Sequence, residues 1–374
     1  MNFDLSDEQQ LIADSVDRFV QDNYSLEARI ALAKSKTGFS SDHWNAMAEL
    51  GWMGLPFCEA DGGFGGSAVD TMVIMEAFGK GLVLEPYFTS AVLAGSAFKH
   101  ADNSALSAQW LPGIIDGSKR LTLAYAEEQA GFDLHDVQTS ATATDGVYSV
   151  NGHKSMVGYA QDADALIVSV RLSGAHTDST GIGLLVVPGD SEGLHYEHFP
   201  TVDGQRASEV TFKDVKVASD HLLVGGDHGF EVLSKVAIDA ILALSAEALG
   251  CMEILYKDTV AYTQEREQFD HALSDFQVLQ HRMVDMFMEY EQCKSLLYRA
   301  TLEVDQGLEG AARTVHALKY MVGKTGTFIG ENAVQLHGGM GMTEELRLGH
   351  YFKRLLVIDA QFGNADHHLH RFAA

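Results

Sequence analysis

The chain has 374 residues, of which 46% are hydrophobic and 21% are charged. Such a composition excludes a mainly disordered chain, because disordered chains lack the apolar residues whose burial offsets the entropy cost of ordering. Asp plus Glu number 52 against 26 Lys plus Arg, a formal net charge of −26, and such a surface repels nucleic acid and anionic lipid.

The sequence predicts neither a membrane span nor a disulfide framework. No apolar run approaches the roughly 18 residues that a spanning helix needs, and the acidic N-terminus is unlike a secretory signal. The three cysteines, Cys58, Cys251 and Cys293, lie far apart. We interpret them as reduced core thiols of a cytoplasmic protein.

Residues 1–118 are predicted to form an N-terminal helical domain. Ser6 and Gln9 have the spacing of a capping box, and apolar residues then recur at helical spacing. Gly51 suits a left-handed helix C-cap. Ser67 or Asp70 is expected to cap a further helix.

Residues 119–225 are predicted to form a β-barrel domain, because short apolar stretches alternate there with turn signals. Asp145-Gly146 indicates a two-residue hairpin turn, and Asn151-Gly152 indicates a second one. The change from helical to strand periodicity predicts an α+β protein with separate helical and sheet domains.

Residues 226–374 are predicted to form a C-terminal helical bundle. The expected seam has apolar residues at alternating spacings of four and three, as in packed bundles: Leu279, Met283, Met286, Tyr290, Cys293 and Leu297.

Two motifs in the C-terminal region are candidates for ligand binding. The glycine-rich run 335–343 follows a helix and not a strand, so it is no dinucleotide fingerprint. Its glycines would let the backbone approach a ligand, or would simply cap the helix. Arg266 would suit a phosphate, although an ion pair with Glu265 or Asp270 is the simpler interpretation.

Together with the helix–sheet–helix order, Gln335-x-x-Gly338-Gly339 and Arg266-x-x-Phe269 resemble the acyl-CoA dehydrogenases over the whole chain. The resemblance implies an N-terminal helical domain, a central β-barrel and a C-terminal four-helix bundle. It implies FAD as cofactor, an acyl-CoA substrate and an electron-transferring flavoprotein as electron acceptor. The residues that it implies as FAD contacts are Arg266, Phe269, Gln277, Gln335, Gly338 and Gly339.

The positions of the family's catalytic base are occupied by other residues. Phe362 stands where a glutamate would stand on the last helix, and Ala240 occupies the second family position. Asp239 is the remaining candidate base. It is one residue away, and a shift of one residue turns a helical side chain by about 100°. The alternative is a surface or capping acid.

The flavin-facing positions of the sheet also differ from the family. Ala126, Met156 and Gly158 stand where the family has threonine, tryptophan and threonine. In family dimers, the arginine and glycine motifs contact the FAD of the neighbouring subunit. The chain thus keeps the FAD contacts made across the interface and lacks those made within its own subunit. This pattern predicts a heteromer, expected to be a tetramer, that shares FAD with a related acyl-CoA dehydrogenase subunit. Such pairs are known for steroid side chains and dicarboxylic acids, which implies lipid or steroid catabolism.

Other interpretations stay open at this stage. The chain could be a self-sufficient homo-oligomeric dehydrogenase with Asp239 or another acid as base, or a non-catalytic scaffold that binds acyl-CoA or flavin. A flavin monooxygenase on the same fold is also compatible with a missing base. Arg171, Arg206 and Lys213 are candidates for CoA binding, but their charges are equally well explained as ordinary surface charges. No metal site is expected.

Overall fold

The computed structural model of the protein describes residues 5–226 and 228–374. Its α-helices are α1 Asp7–Asn23, α2 Leu26–Lys34, α3 Ser41–Glu49, α4 Ala68–Gly81, α5 Gly95–Ala101, α6 Ser104–Ile115, α7 Gly229–Glu265, α8 Gln277–Asp305, α9 Ala311–His337, α10 Leu348–Ala360 and α11 Ala365–Ala373. Its strands are β1 Leu121–Ala124, β2 Ser140–Thr144, β3 Val147–Gly158, β4 Ala165–Arg171, β5 Ile182–Pro188, β6 Leu194–Pro200, β7 Arg206–Ala218, β8 Leu222–Val224, β9 Glu267–Gln268 and β10 His271–Ala272. A π-helical segment, Phe88–Ala94, precedes α5, and a 3-10 turn, Gly338–Met342, follows α9.

This order confirms the predicted fold class of a helical N-terminal region, a central sheet and a C-terminal helical bundle. By contacts, the chain forms two compact units. One comprises the chain up to Ala31, Ser67–Val83 and Ile241–Ala374, and the other comprises Leu32–Gly66 and Leu84–Ala240. The domain boundaries 1–118, 119–225 and 226–374 stay predictions.

The helix starts expected from the sequence are confirmed. The Ser6 hydroxyl accepts a hydrogen bond from the Gln9 N–H, and the Gln9 side chain accepts one from the Ser6 N–H. Ser67 and Asp70 form the same reciprocal arrangement at α4. Gly51 has φ +80° directly after the end of α3. Local capping chemistry therefore sets these boundaries.

The central sheet contains eight strands in the order β6-β7-β3-β2-β4-β5-β8, and β1 pairs with β4. Apart from the parallel pairs β1–β4 and β2–β4, its ladders are antiparallel. The predicted turn at Asp145-Gly146 is confirmed, because both residues have positive φ and join β2 to β3. Buried apolar residues from β2–β5 and β7 form the core of this region.

The second hairpin turn predicted at Asn151-Gly152 is wrong, because both residues lie inside β3. The ladder between β3 and β7 shifts register between Val150 and Gly152. A Cβ atom at Gly152 would lie 2.5 Å from Oγ1 of Thr139. The glycine thus serves a close approach between two segments and a strand irregularity, which is its usual role inside a strand.

The C-terminal bundle is built around α9, which packs against α8, α10 and α11. The later part of the predicted seam is buried, from Met286 through Tyr290 and Cys293 to Leu297 on α8. A bidentate ion pair between Glu247 and Arg354, with N–O distances of 2.6 and 2.7 Å, joins α7 to α10.

The cysteine prediction holds for two of the three thiols. Cys251 and Cys293 are buried, whereas Cys58 is exposed. The Cys58 thiol donates to the Asp61 carboxylate in a surface turn, so the prediction of a core position was wrong there. None of the helices in the described ranges combines the length and hydropathy of a bilayer span.

Candidate cofactor-binding site

All six residues predicted to contact FAD lie at one end of the helical bundle. Arg266 directly follows α7, Gln277 begins α8, and Gly338 directly follows α9. The rings of Tyr262 and His337, near the ends of α7 and α9, stack with centroids 4.2 Å apart. A hydrogen bond of 3.1 Å from the Thr263 hydroxyl to the Met283 sulfur joins the end of α7 to the start of α8. Packing of three helix ends therefore brings the motifs together.

The Arg266 side chain is exposed and has no partner. Within residues 5–226 and 228–374, its guanidinium forms no ion pair or hydrogen bond, so the expected pairing with Glu265 or Asp270 does not occur. The following residues form a small hairpin of β9 and β10, in which Phe269 has φ +57° and is 86% exposed. The five N–H donors of the guanidinium are therefore available to a ligand.

The glycine-rich turn after α9 leaves its backbone open. Gly338 has φ +59° and ψ −139°, a conformation that other residues avoid. A Cβ atom at Gly338 or at Gly339 would meet nothing within 4 Å. The Gly338 N–H also donates to the Gln335 carbonyl, so the turn ends the helix as well. The glycine turn therefore both ends the helix and leaves its backbone open to a ligand.

Asp239 links two helices. Its Oδ2 accepts a hydrogen bond of 2.9 Å from the Ser96 hydroxyl and one of 2.8 Å from Nε2 of His100. Ser96 and His100 lie one turn apart on α5, and Asp239 lies in the early part of α7. The sequence did not identify these two partners; their spacing of four residues on one helix was the available signal.

The two positions at which the sequence resemblance predicts the family's base hold no carboxylate. Ala240 is fully buried, and Phe362 is half-buried with φ +57°. The Phe362 carbonyl accepts a hydrogen bond from His368, at 2.9 Å. The adjacent Gly363 carbonyl accepts one of 2.8 Å from the Lys319 ammonium. The side chains of His368 and Lys319 thus hold the backbone of the turn after α10.

Lys319 is a buried cation that the sequence analysis missed. Its ammonium donates to the carbonyls of Ile358, Asp359 and Gly363 at 2.8 to 2.9 Å, which satisfies the end of α10. Burial lowers the pKa of Lys319 to about 8. A lysine at a helical core position, between Val315 and Val322, was the sequence signal for it.

Two sheet positions that the resemblance predicts to face a flavin ring, Met156 and Gly158, contact other parts of the sheet region. Met156 is 56% exposed with φ +55°, and its N–H donates to the Glu209 carboxylate at 3.3 Å. A Cβ atom at Gly158 would lie 3.0 Å from the Thr89 methyl group. A threonine at this position would therefore be crowded.

The two sheet segments that contain these positions remain joined by a buried ion pair. The Lys154 ammonium lies 2.6 Å from the Glu127 carboxylate and donates to the Ser169 hydroxyl at 2.8 Å. Although burial acts to raise it, the nearby Lys154 charge lowers the pKa of Glu127 to about 2. The N–H groups of Gln138 and Thr139 also donate to this carboxylate.

Two of the three basic candidates for CoA binding have structural roles. The Arg171 guanidinium donates to five backbone carbonyls at 2.6 to 3.4 Å. Arg206 donates to the carbonyls of Ala33 and Ser35. Lys213 is exposed. Within the described ranges, no group of three His, Cys, Asp or Glu residues is arranged to hold a metal ion.

Comparison with known proteins identifies the family of the chain. Family models of the acyl-CoA dehydrogenase N-terminal, middle and C-terminal domains match residues 6–118, 122–215 and 227–374. The probable acyl-CoA dehydrogenase YngJ of Bacillus subtilis (strain 168) is 28% identical over 353 residues, covering 92% of this chain and 91% of that protein.

Two solved structures extend the comparison. The FAD complex of PigA is 27% identical and has a TM-score of 0.90 over 100% of this chain and 98% of that one. A variant of the Tcur3481–Tcur3483 steroid ACAD is 26% identical, with a TM-score of 0.87 over 98% and 96% of the two chains. The chain therefore belongs to the acyl-CoA dehydrogenase family of FAD-dependent oxidoreductases.

Proposed function

We propose that this chain is one half of a heteromeric acyl-CoA dehydrogenase, whose related partner subunit holds most of the FAD and supplies the catalytic base. One observation supports this most directly. The unpaired Arg266 lies at the same exposed end of the bundle as the open Gly338–Gly339 turn, while neither family base position holds a carboxylate. The same end exposes large apolar side chains, Phe269 at 86% and Met342 at 79%, which is typical of an interaction surface.

The residues at the bundle end fit the diphosphate of FAD. A free guanidinium matches phosphate oxygens in a bidentate manner, and glycine lets backbone N–H groups approach closely. Arg266 would bind the diphosphate, and the exposed amides of Gln277 and Gln335 would add hydrogen bonds. Bound FAD supplies the acceptor for the substrate hydride.

The sheet positions of the same chain do not fit a flavin ring of its own. Ala126 has no hydroxyl to offer, Thr89 crowds the Gly158 position, and Glu209 accepts from the Met156 N–H. We therefore assign to this chain the contacts that reach across to a partner's cofactor.

Removal of the substrate α-proton needs a carboxylate within hydrogen-bond reach. In this chain Asp239 is already bonded to Ser96 and His100, so the proposal assigns proton removal to the partner. The substrate class is an acyl-CoA of lipid or steroid catabolism, which the similarity to a steroid ACAD supports. An electron-transferring flavoprotein as acceptor and a cytoplasmic location belong to the same proposal.

Co-expression with a related chain that has the threonine, tryptophan and glutamate tests this proposal. We expect a yellow, active complex with fewer flavins than subunits, and a nearly colourless, inactive chain when it is expressed alone. Arg266→Ala should weaken FAD binding about 10- to 100-fold, the loss expected for a charge-assisted contact, and Arg266→Lys should restore it only in part.

The matched control is Arg18→Ala, at an exposed arginine on α1, which should leave FAD binding unchanged. A yellow homo-oligomer that is active alone, and inactive as Asp239→Asn, would instead establish the self-sufficient enzyme. Flavin binding with no turnover of any acyl-CoA in the complex would establish the scaffold.

A further inference from the structure

The stacked rings of Tyr262 and His337 connect the two motifs directly. Their centroids are 4.2 Å apart and their planes differ by 23°. The Tyr262 carbonyl accepts the N–H of Arg266 at 2.9 Å, so Arg266 lies one helical turn beyond the ring. Gly338 is the residue after His337. One aromatic contact thus lies between the arginine motif and the glycine motif.

His337 is held rigidly in this contact. Its side chain is buried, and its Nδ1 donates to the Ala333 carbonyl at 2.9 Å, one turn earlier in α9. Burial lowers its pKa, so the ring is neutral at physiological pH and stacks without the cost of a buried charge. The glycine turn folds back over it, since a Cβ atom at Gly341 would lie 3.2 Å from the His337 Cβ.

Among the described residues, no hydrogen bond or ion pair joins the arginine motif to the glycine motif. The Arg266 side chain has no protein partner in the described part of the chain, and the Gly338–Gly339 turn has open space around it. A bidentate ion pair between Asp258 and Arg347, at 2.6 and 2.7 Å, also involves α7. That pair lies one helical turn before Tyr262 and joins α7 to the start of α10, so it does not involve the end of α9.

We propose that Tyr262 and His337 are positioning residues for the shared cofactor. Their stacking holds Arg266 and the Gly338–Gly339 turn at the separation at which both meet one diphosphate. Neither ring is assigned a contact with FAD. A ligand that needs two donors in fixed places binds more tightly when the protein has already ordered them. This proposal rests on the proposed function, because it takes the diphosphate as the ligand of the bundle end.

The test measures FAD affinity and melting temperature in the co-expressed complex. His337→Ala and Tyr262→Leu should each weaken FAD binding about 5-fold, the scale of one aromatic pair. Tyr262→Phe keeps the ring and should bind FAD like the unmodified complex. Tyr262 is partly exposed, so Tyr262→Leu provides the result if the buried His337→Ala variant does not fold. Asp258→Asn removes a neighbouring contact and serves as the structural control.

A double variant with Arg266→Ala distinguishes a positioning role of Tyr262 from a general structural role. In the Arg266→Ala background, Tyr262→Leu should have no further effect on FAD binding, because one of the two positioned groups is already gone. A lower melting temperature with unchanged FAD affinity, or an equal loss in the Asp258→Asn control, would overturn the proposal. An undiminished effect in the Arg266→Ala background would overturn it too. If Arg266→Ala itself leaves FAD binding unchanged, the proposed function fails, and this inference fails with it.

Discussion

Replacement of Asp239 by asparagine distinguishes a catalytic base from a contact between helices. The carboxylate accepts hydrogen bonds from Ser96 and His100, and the side chains of Asp239 and His100 are both about one-fifth exposed. Asparagine keeps the size and one acceptor oxygen but loses the charge. We therefore expect Asp239→Asn to weaken the contact between α5 and α7 and to leave proton removal unaffected.

The expected loss of stability follows from these two bonds. Hydrogen bonds to a charged group contribute about 1.5–3 kcal/mol each, but partial exposure reduces this, so we expect a total of about 1–2 kcal/mol. The melting midpoint should fall by roughly 1–3 °C, since a chain of 374 residues has a large entropy of unfolding. Loss of a general base would instead lower the rate by about 10²–10⁴-fold with little change in stability. The two outcomes differ in both observables.

The assay compares Asp239→Asn, His100→Gln and the double variant in the co-expressed complex. If the pair is structural, the two single losses in unfolding free energy will not add, and the coupling will be about 1 kcal/mol. The rate of acyl-CoA oxidation should stay within about threefold in all of them. A hundredfold loss of rate in Asp239→Asn alone, with an unchanged melting midpoint, would refute this reasoning.

Three further outcomes concern buried titratable groups. Lys154→Met should destabilise the sheet by about 3 kcal/mol, because Glu127 stays buried without its counter-charge, and urea titration should show a smaller loss in the double variant with Glu127→Leu. Burial lowers the pKa of His316 to about 4 and of His368 to about 3, against 6.5 when unfolded. Between these values only the unfolded chain binds the two protons. The two neutral histidines should therefore contribute fully to the free energy of unfolding above pH 6.5, and this contribution should fall as the pH drops towards 3. Urea titrations at several pH values measure it. Lys319→Met should leave three carbonyls unsatisfied, cost about 2–4 kcal/mol and speed amide exchange at the end of α10.

Features that depend on neighbouring residues could be predicted from the sequence. The capping box at Ser6, the helix cap at Ser67 or Asp70 and the turn at Asp145-Gly146 form through contacts over a few positions, and these predictions are confirmed. Burial of Cys293 on α8 followed from spacing alone. In each case the physical cause lies within one or two turns of chain.

Features that depend on distant partners could not be predicted. Asn151-Gly152 has the chemistry of a turn, but pairing of β3 with β7 keeps it in a strand. Strand β6 contains no fully buried residue, as suits an edge strand, so it lacks the apolar stretch that predicts a strand from the sequence. The ammonium of Lys319 and the bonds of Asp239 also depend on residues far away in the sequence.

The candidate site likewise combines motifs that the sequence identified with a contact between distant residues that it could not indicate. The sequence identified Arg266 and the Gly338–Gly339 turn from their motifs. Taken alone, Arg266 suggested an ion pair, and the family resemblance predicted an FAD contact instead. Among the residues that the structure describes, that guanidinium has no partner. The stacking of Tyr262 on His337 joins residues 75 positions apart, and no local pattern indicates such a contact.

Ala126, Met156 and Gly158 occupy sheet positions that the family resemblance predicts to face a flavin, and their lack of polar ring contacts supports the proposed division of labour between subunits. The Glu127–Lys154 pair still joins the two segments, so the sheet has not come apart around Met156 and Gly158. At the bundle end, by contrast, the predicted cofactor contact is kept: within residues 5–226 and 228–374, Arg266 has no partner, although the net charge of the chain is −26. An arginine surrounded by an excess of acids but bonded to none is available for an external anion. If one subunit offers only this arginine end and the other only the ring site, each unlike pair completes one cofactor site. The complex should therefore hold about one FAD for every two chains, and flavin absorbance against total protein measures that ratio directly.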